Sequence, residues 1–251
     1  MLGKNKIKFI QSLKIKKIRE QEKLFLIEGD KIVLEAIDSK QDIRLLCATE
    51  SFMEDIDELG IGESICVTEQ ELQKASLMQS PQNALAVVEM PQLSFDISFI
   101  QGKLSLALDF VQDPGNLGTI IRLADWFGIR HLLCSENTVD CYNPKTIQAS
   151  MGSIFRVDIH YLSIPQALDE ACQCSIPVYG TFLEGESIYD HPLSESGILV
   201  MGNEGNGISV EVAERIPQRL LIPPFNQKSS ESLNVATAAA ICCSEFRRRN
   251  I

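Results

Sequence analysis

The sequence predicts an α/β protein in two parts, a small α/β domain followed by a larger one built on a parallel sheet. Three observations carry this. Strand-like and helix-like segments alternate over roughly the first ninety residues, the mark of an α/β unit. The strands of the second part are near-continuous apolar runs, such as LSLALDF and GILVM, as a parallel sheet covered on both faces requires. Between the two, PQLSFDISFIQGK breaks the alternation with Pro91 and Gly102. This sets a first domain at 1–92, a linker at 93–103 and a second domain at 104–251.

Taken in order, residues 8–22 carry Phe9, Ile10, Leu13, Ile15 and Ile18 among lysines and read as a helix. LFLIEG is a strand ending at Gly29, and DKIVLEAI a helix that Asp30 opens as its N-cap. IRLLCA and ESICV are strands, and NALAVVEM is another. TEQELQKAS is a helix with a capping box, in which Glu71 follows Thr68 by three residues. The second domain is expected to hold strands at 104–110, 131–134, 154–159, 177–182, 197–201 and 219–222. Its helices are expected at 117–127, 144–150, 164–173, 208–215 and 232–248.

With 251 residues, 45% of them hydrophobic, the chain can bury a sizeable core. Its longest apolar runs, such as Val235–Cys243, fall short of the ~20 residues that span a bilayer, and the basic N-terminus has no apolar h-region. A soluble cytoplasmic protein is expected. Eight cysteines without a C-x-x-C pair, beside only three histidines, form no zinc pattern and read as buried free thiols in a reducing compartment. The net charge of −11 is unevenly spread. Lys4, Lys6, Lys8, Lys14, Lys16, Lys17, Arg19 and Lys23 against Glu20 and Glu22 leave residues 1–23 at +6, and the rest at −17. A basic head on an acidic body fits either phosphate binding or a solvated helix face.

Open parallel sheets bind ligands where strands lead into helices, and three such turns are unusual here. DPGNLGTIIRLADWFGI (113–129) runs a Pro114-Gly115-Asn116 turn into an apolar helix holding Arg122. Asn116 can cap that helix or donate to a ligand. Arg122 either pairs with Asp125 at the surface or points at a ligand, because a buried unpaired guanidinium is costly. GILVMGNEGNGIS places Gly202, Gly205 and Gly207 around Glu204, yet matches neither the Walker A loop nor G-x-G-x-x-G. LLIPPFNQKSSESLNVATAAAICC stops a strand at Pro223–Pro224 and opens a small-residue helix, capped by Ser230 or Ser232, with Asn234 in its first turns.

In this order, these three stretches resemble the motifs of the SpoU (TrmH-type) RNA 2′-O-ribose methyltransferases of the SPOUT superfamily. NPKTIQASMGSIFRV resembles the stretch between the first and second motifs, and KIREQEKLFLIEGDKIVLEAI the small substrate-binding domain that many members carry. The resemblance implies a SPOUT α/β-knot, in which the C-terminal segment threads a loop as a deep trefoil knot, against the usual rule. It implies S-adenosylmethionine as methyl donor, RNA as substrate, and a homodimer through knot-region helices, with neither metal nor membrane. By motif, it assigns catalytic roles to Asn116, Arg122, Glu204, Ser232 and Asn234, and donor binding to Thr181, Gly202, Ile222 and Leu233. In that context Lys14, Lys16, Lys17 and Arg19 become candidates for RNA phosphates, with Arg247, Arg248 and Arg249 a further basic surface. Two departures stand out: the loop Pro224-Phe225-Asn226-Gln227-Lys228, and Gln148 where arginine is frequent.

No histidine lies in the three motifs, so an ordinary imidazole base is missing. A guanidinium with a pKa above ~12 is a poor base. The expectation is that Arg122 holds a phosphate and the emerging alkoxide. Ribosomal RNA is the expected substrate. The alternatives are a transfer RNA 2′-O-methyltransferase, a non-catalytic RNA-binding member, a base-methylating SPOUT enzyme, and an unrelated nucleotide-dependent enzyme.

Overall fold

The computed structural model describes residues 2–56, 60–226 and 232–248. The chain divides into two compact units, residues 1–92 with 142–155 and residues 93–141 with 156–251.

The first unit begins with α1 (Lys4–Ser12) and α2 (Lys16–Glu22), two helices where the sequence suggests one. Arg19 explains the break. Its Nη1 donates to the carbonyl of Leu13, 2.7 Å away, and only 2% of the residue is exposed, so its bond ties the end of α1 to α2. Then follow β1 (Leu24–Glu28), α3 (Asp30–Asp38), β2 (Ile43–Ala48), α4 (Glu50–Met53), β3 (Ser64–Cys66), α5 (Glu69–Ala75) and β4 (Ala84–Glu89). α5 carries the expected capping box between Thr68 and Glu71. α3 does not use Asp30 as its cap. Gly29, at φ 109°, precedes the helix, and Asp30 instead accepts from the side-chain amide of Asn83 at 2.9 Å. The sheet runs β1-β4-β2-β3, with β4 antiparallel to both neighbours and β2 parallel to β3. Leu26, Leu45, Leu85 and Val87 from the sheet meet Ile10, Leu13 and Leu72 from the helices to form the core.

The second unit is the larger α/β body. It contains β5 (Leu104–Leu108), α6 (Pro114–Trp126) and β6 (His131–Cys134). After α7 (Pro144–Ser150) come β7 (Asp158–Tyr161), α8 (Ile164–Gln173), β8 (Val178–Ser187), β9 (Gly197–Met201), α9 (Val210–Ala213), β10 (Gln218–Leu221) and α10 (Val235–Arg248). All six strands are parallel, in the order β10-β8-β9-β5-β6-β7. β5, β6 and β9 are buried at every residue, as the apolar runs require. The strand expected at 154–159 forms at 158–161. Met151 and Gly152 adopt positive φ, and a short 3-10 turn at Ser153–Phe155 follows before the chain extends. β8 outruns its expected end. Its pairing to β10 jumps from Gly180 to Glu186, leaving 181–185 as an excursion between paired segments.

Two expectations about boundaries change. Residues 93–103 are not a free linker. Ile100 is fully buried, and Phe95 and Ile97 pack on the same core as α8 and β9. Residues 142–155, including α7, pack with the first unit, where the Tyr142 and Phe25 rings lie 4.6 Å apart. The cysteines divide as well. Cys47, Cys134, Cys141, Cys242 and Cys243 are buried and in no disulfide, but Cys66, Cys172 and Cys174 are exposed. No described helix is long and apolar enough to cross a membrane.

Candidate active site

Because all six strands of the second unit are parallel, the turns after β5, β9 and β10 emerge at one edge of the sheet. The turn after β5 leads into α6. Asp113 is the N-cap, accepting from the Asn116 amide at 2.8 Å, and Pro114 occupies the first helical position. The cap is therefore Asp113 rather than Asn116, and α6 starts three residues earlier than the sequence suggests. This frees the Asn116 side chain to reach across the turn.

It reaches Glu204, on the turn after β9. Asn116 Nδ2 donates to Glu204 Oε1 at 2.9 Å, and the backbone N–H groups of Asp113 and Gln112 donate to Oε1 and Oε2, each at 3.2 Å. Partial burial pushes the Glu204 carboxyl up. The Asn116 amide and the backbone donors outweigh it and hold the pKa below the ordinary glutamate value. Glu204 is thus an anion fixed by N–H donors from the turn after β5 and from Asn116.

Asn234, just before α10, completes the cluster. Its Nδ2 donates to Asn116 Oδ1 at 2.9 Å, while its Oδ1 accepts from the amides of Ala236 and Thr237 at 2.9 and 3.2 Å. Asn234 is the cap of α10, the role expected of Ser230 or Ser232. Ser232 is exposed two residues before it, and Ser230 lies outside the described residues. The structure therefore joins Asn116, Glu204 and Asn234 in one hydrogen-bonded row.

Arg122 stands two turns along α6 from Asn116. Asp125, its possible surface partner, is taken: Arg156 Nε donates to both Asp125 oxygens at 3.1 and 2.9 Å, with Nη2 2.8 Å from Oδ2. Arg122 is exposed and has no hydrogen-bond or ion-pair partner among the described residues. The expected surface pair with Asp125 does not form, and Arg122 is left exposed on the helix that carries Asn116.

Of the four residues matched to the donor, Thr181, Gly202 and Ile222 sit at strand ends and Leu233 just before α10. Thr181 lies where β8 leaves its pairing, its hydroxyl 3.4 Å from the Val200 carbonyl. Gly202 follows β9 and is buried. A Cβ there would fall 2.2 Å from the Gly207 carbonyl carbon, so the turn closes only over bare backbone. Ile222 follows β10 and is half-buried, whereas Leu233 is 47% exposed. Backbone at adjoining strand ends, with an apolar side chain open at the rim, fits an adenosine moiety. The excursion 181–185 brings Phe182 under the guanidinium of Arg219, 4.6 Å from the ring centre.

The expected basic surfaces are reduced. Lys14, Lys16 and Lys17 are exposed, with Lys16 3.7 Å from Glu20. Arg19 is buried in its bond to Leu13, so it cannot meet a phosphate. Arg247 caps the end of α6 through the carbonyls of Phe127 and Gly128, and Arg248 holds the buried Glu245. Arg249, Gln227 and Lys228 lie outside the described residues. Sequence reasoning missed Asp113 and the backbone of Gln112. An Asp-Pro pair before a helix is a cap signal that points to the first, but nothing local reports where an N–H will aim.

Comparisons with known proteins identify the family. Residues 103–244 match the model of the SpoU rRNA Methylase family, and residues 4–86 that of the MRM3-like substrate binding domain. The chain is 35% identical, over 96% of either sequence, to the 23S rRNA (guanosine(2553)-2′-O)-methyltransferase RlmP of Bacillus subtilis. Among solved structures it resembles a TrmH-family protein from Porphyromonas gingivalis, at a TM-score of 0.89 and 42% identity over 99% of both chains. It also resembles the SpoU methyltransferase AviRb from Streptomyces viridochromogenes in complex with AdoMet, at a TM-score of 0.86 and 26% identity over 99% and 98% of the chains. With more than half its length matched by the family model and a near full-length relative at 35%, this chain belongs to the SpoU rRNA methylase family.

Proposed function

We propose that this protein is an S-adenosylmethionine-dependent methyltransferase that modifies the ribose 2′-oxygen of ribosomal RNA. The observation that carries it is the hydrogen-bonded row Glu204–Asn116–Asn234, with Arg122, which has no partner among the described residues, on the same helix as Asn116. The match of residues 4–86 to a substrate-binding domain, and the ribosomal RNA substrate in the names of RlmP and other relatives, favour ribosomal over transfer RNA.

When bound, S-adenosylmethionine supplies a methyl carbon already activated by positive sulfur, so placement of the ribose oxygen is the main task left to the protein. Glu204, held ionised, would complement the donor's positive charge, and it anchors the turn at 112–113. Arg122 grips the phosphate next to the target ribose and stabilises charge emerging on the 2′-oxygen, while the proton leaves to phosphate or water. Ser232 supplies a hydroxyl beside Asn234. The backbone at Gly202 and Ile222, with Thr181 and Leu233, holds the adenosine part.

Four further parts belong to the proposal. The segment after β10 threads a trefoil knot. Support comes from β10 lying at the sheet edge beside β8 while α10 packs on α6, so the chain must cross back past β8 and β9. The protein is a homodimer through α6 and α10, which would cover Trp126, an indole 82% exposed at the end of α6. It works in the cytoplasm, as the lack of a disulfide among the described cysteines favours, and Lys14, Lys16 and Lys17 neutralise RNA phosphates.

Mapping 2′-O-methyl positions in total RNA from a deletion strain tests the reading. One ribosomal RNA position should lose its methyl group and regain it when the purified wild-type protein is added with the donor. A loss confined to transfer RNA would replace the substrate, and an unchanged map would remove the activity.

A further inference from the structure

We infer that Asn203 is a positioning residue for methyl transfer: it locks the turn after β5 to the turn after β9, and so sets Glu204 and Asn116. The inference rests on the proposed activity.

Asn203 spends its whole polar inventory on these two turns. Its Nδ2 donates to the Phe110 carbonyl at 2.8 Å and lies 3.5 Å from Glu204 Oε2. Its Oδ1 accepts from the amides of Gly205 and Asn206, both at 2.9 Å. Its own N–H and carbonyl bond Gly207 at 2.8 and 3.0 Å, closing the turn.

The gripped peptide is an unusual one. Phe110 has φ 66°, a left-handed conformation that is strained for a bulky L-residue. It persists because both ends are tied: its N–H donates to Ser135 Oγ at 2.9 Å and its carbonyl accepts from Asn203. That conformation turns the chain so that the next amides, at Gln112 and Asp113, meet the Glu204 carboxylate. The contacts close a ring. Asn203 holds Phe110, Phe110 directs 112–113, and 112–113 hold the neighbour of Asn203. Break the first contact and Phe110 is free to relax, taking with it the two backbone donors that hold Glu204.

Asn203→Asp separates the two halves of this side chain. The introduced carboxyl still accepts from Gly205 and Asn206, so the turn can close. When ionised it offers Phe110 no donor and repels Glu204; when protonated it regains one O–H donor. With purified protein, RNA substrate and labelled donor, kcat should fall on the order of 100-fold near pH 8. KM for RNA should stay within about twofold, and the melting temperature should be little changed. The ratio of variant to wild-type activity should rise as pH falls from about 8 to about 5.5, as the introduced carboxyl takes up a proton. A variant with wild-type kcat, or a loss that is independent of pH, overturns the inference. If the wild type itself transfers no methyl group, the proposed activity has failed. The clamp is then read by hydrogen exchange at the Gln112 and Asp113 amides, which the variant must accelerate at least about tenfold; unchanged exchange rejects it.

Discussion

Asn234 donates its side-chain amide to Oδ1 of Asn116 across 118 residues of chain, at 2.9 Å. The same Asn116 donates in turn to Glu204. One side chain thus serves as acceptor to the C-terminal segment and donor to the turn after β9, which makes it the hinge of the site.

Asn116→Ala should therefore disturb both neighbours. A loss on the order of 10²–10³ in kcat is expected, the scale of removing one directed donor from an active site. Asn116→Asp should be worse near neutral pH, since it sets a second carboxylate against Glu204. A methyl-transfer assay across both variants checks this. Equal activity in wild type and Asn116→Asp would remove Asn116 from the mechanism.

Arg122 has no hydrogen-bond or ion-pair partner among the described residues, so its replacement should spare the fold. Arg122→Ala and Arg122→Lys are expected to leave stability within about 0.5 kcal/mol of wild type. Turnover should fall strongly in both, because lysine keeps the charge but not the planar fork. Denaturant melts and single-turnover rates, measured together, separate the two effects. Near-wild-type turnover in Arg122→Lys would exclude bidentate contact with a phosphate.

Arg19 and the three exposed lysines should part company. Arg19→Met leaves the Leu13 carbonyl without its buried donor and should cost about 1–3 kcal/mol of stability. Replacing Lys14, Lys16 and Lys17 by glutamine should leave stability nearly unchanged. It should weaken RNA binding and flatten the dependence of affinity on salt by about two to three in logarithmic slope. Donor binding should be unaffected. An unaltered salt slope would move RNA contact elsewhere.

The second unit should lose stability in mild acid. His131 and His160 are buried at the start of β6 and within β7, with Nδ1 of the first 3.2 Å from Nε2 of the second. Burial lowers both pKa values, against the pull of Asp158, which is itself engaged by Arg130. A histidine held neutral in the fold stabilises it fully above the unfolded value of about 6.5, and that stability is lost as pH falls below it. Chemical melts between about pH 8 and about pH 5 should show this decline, and His160→Phe should flatten it. The same slope in both proteins would assign the decline to other groups.

Most elements of the fold were legible because their signals are local. The apolar runs of β5 and β9, the capping box of α5 and helix α8 all formed where residue type and spacing put them. The misses share one cause. The first helix breaks because Arg19 turns back to Leu13, and the strand expected from 154 is delayed by positive φ at Met151 and Gly152. Residues 93–103 carry loop-like Pro91 and Gly102 at their margins, yet Ile100 is driven into the core by burial.

For the site, the sequence by itself determined which side chains were out of place in their surroundings: an arginine in an apolar helix, a glutamate among glycines, an asparagine heading an alanine-rich helix. That much follows from residue chemistry, which is local. Only the tertiary structure decided their partners. It paired Asp125 with Arg156 and left Arg122 open, made Asp113 and Asn234 the caps, buried Arg19, and enlisted Asn203. A hydrogen bond depends on where two distant segments cross, and no spacing along the chain encodes that crossing until the sheet has set its strand order.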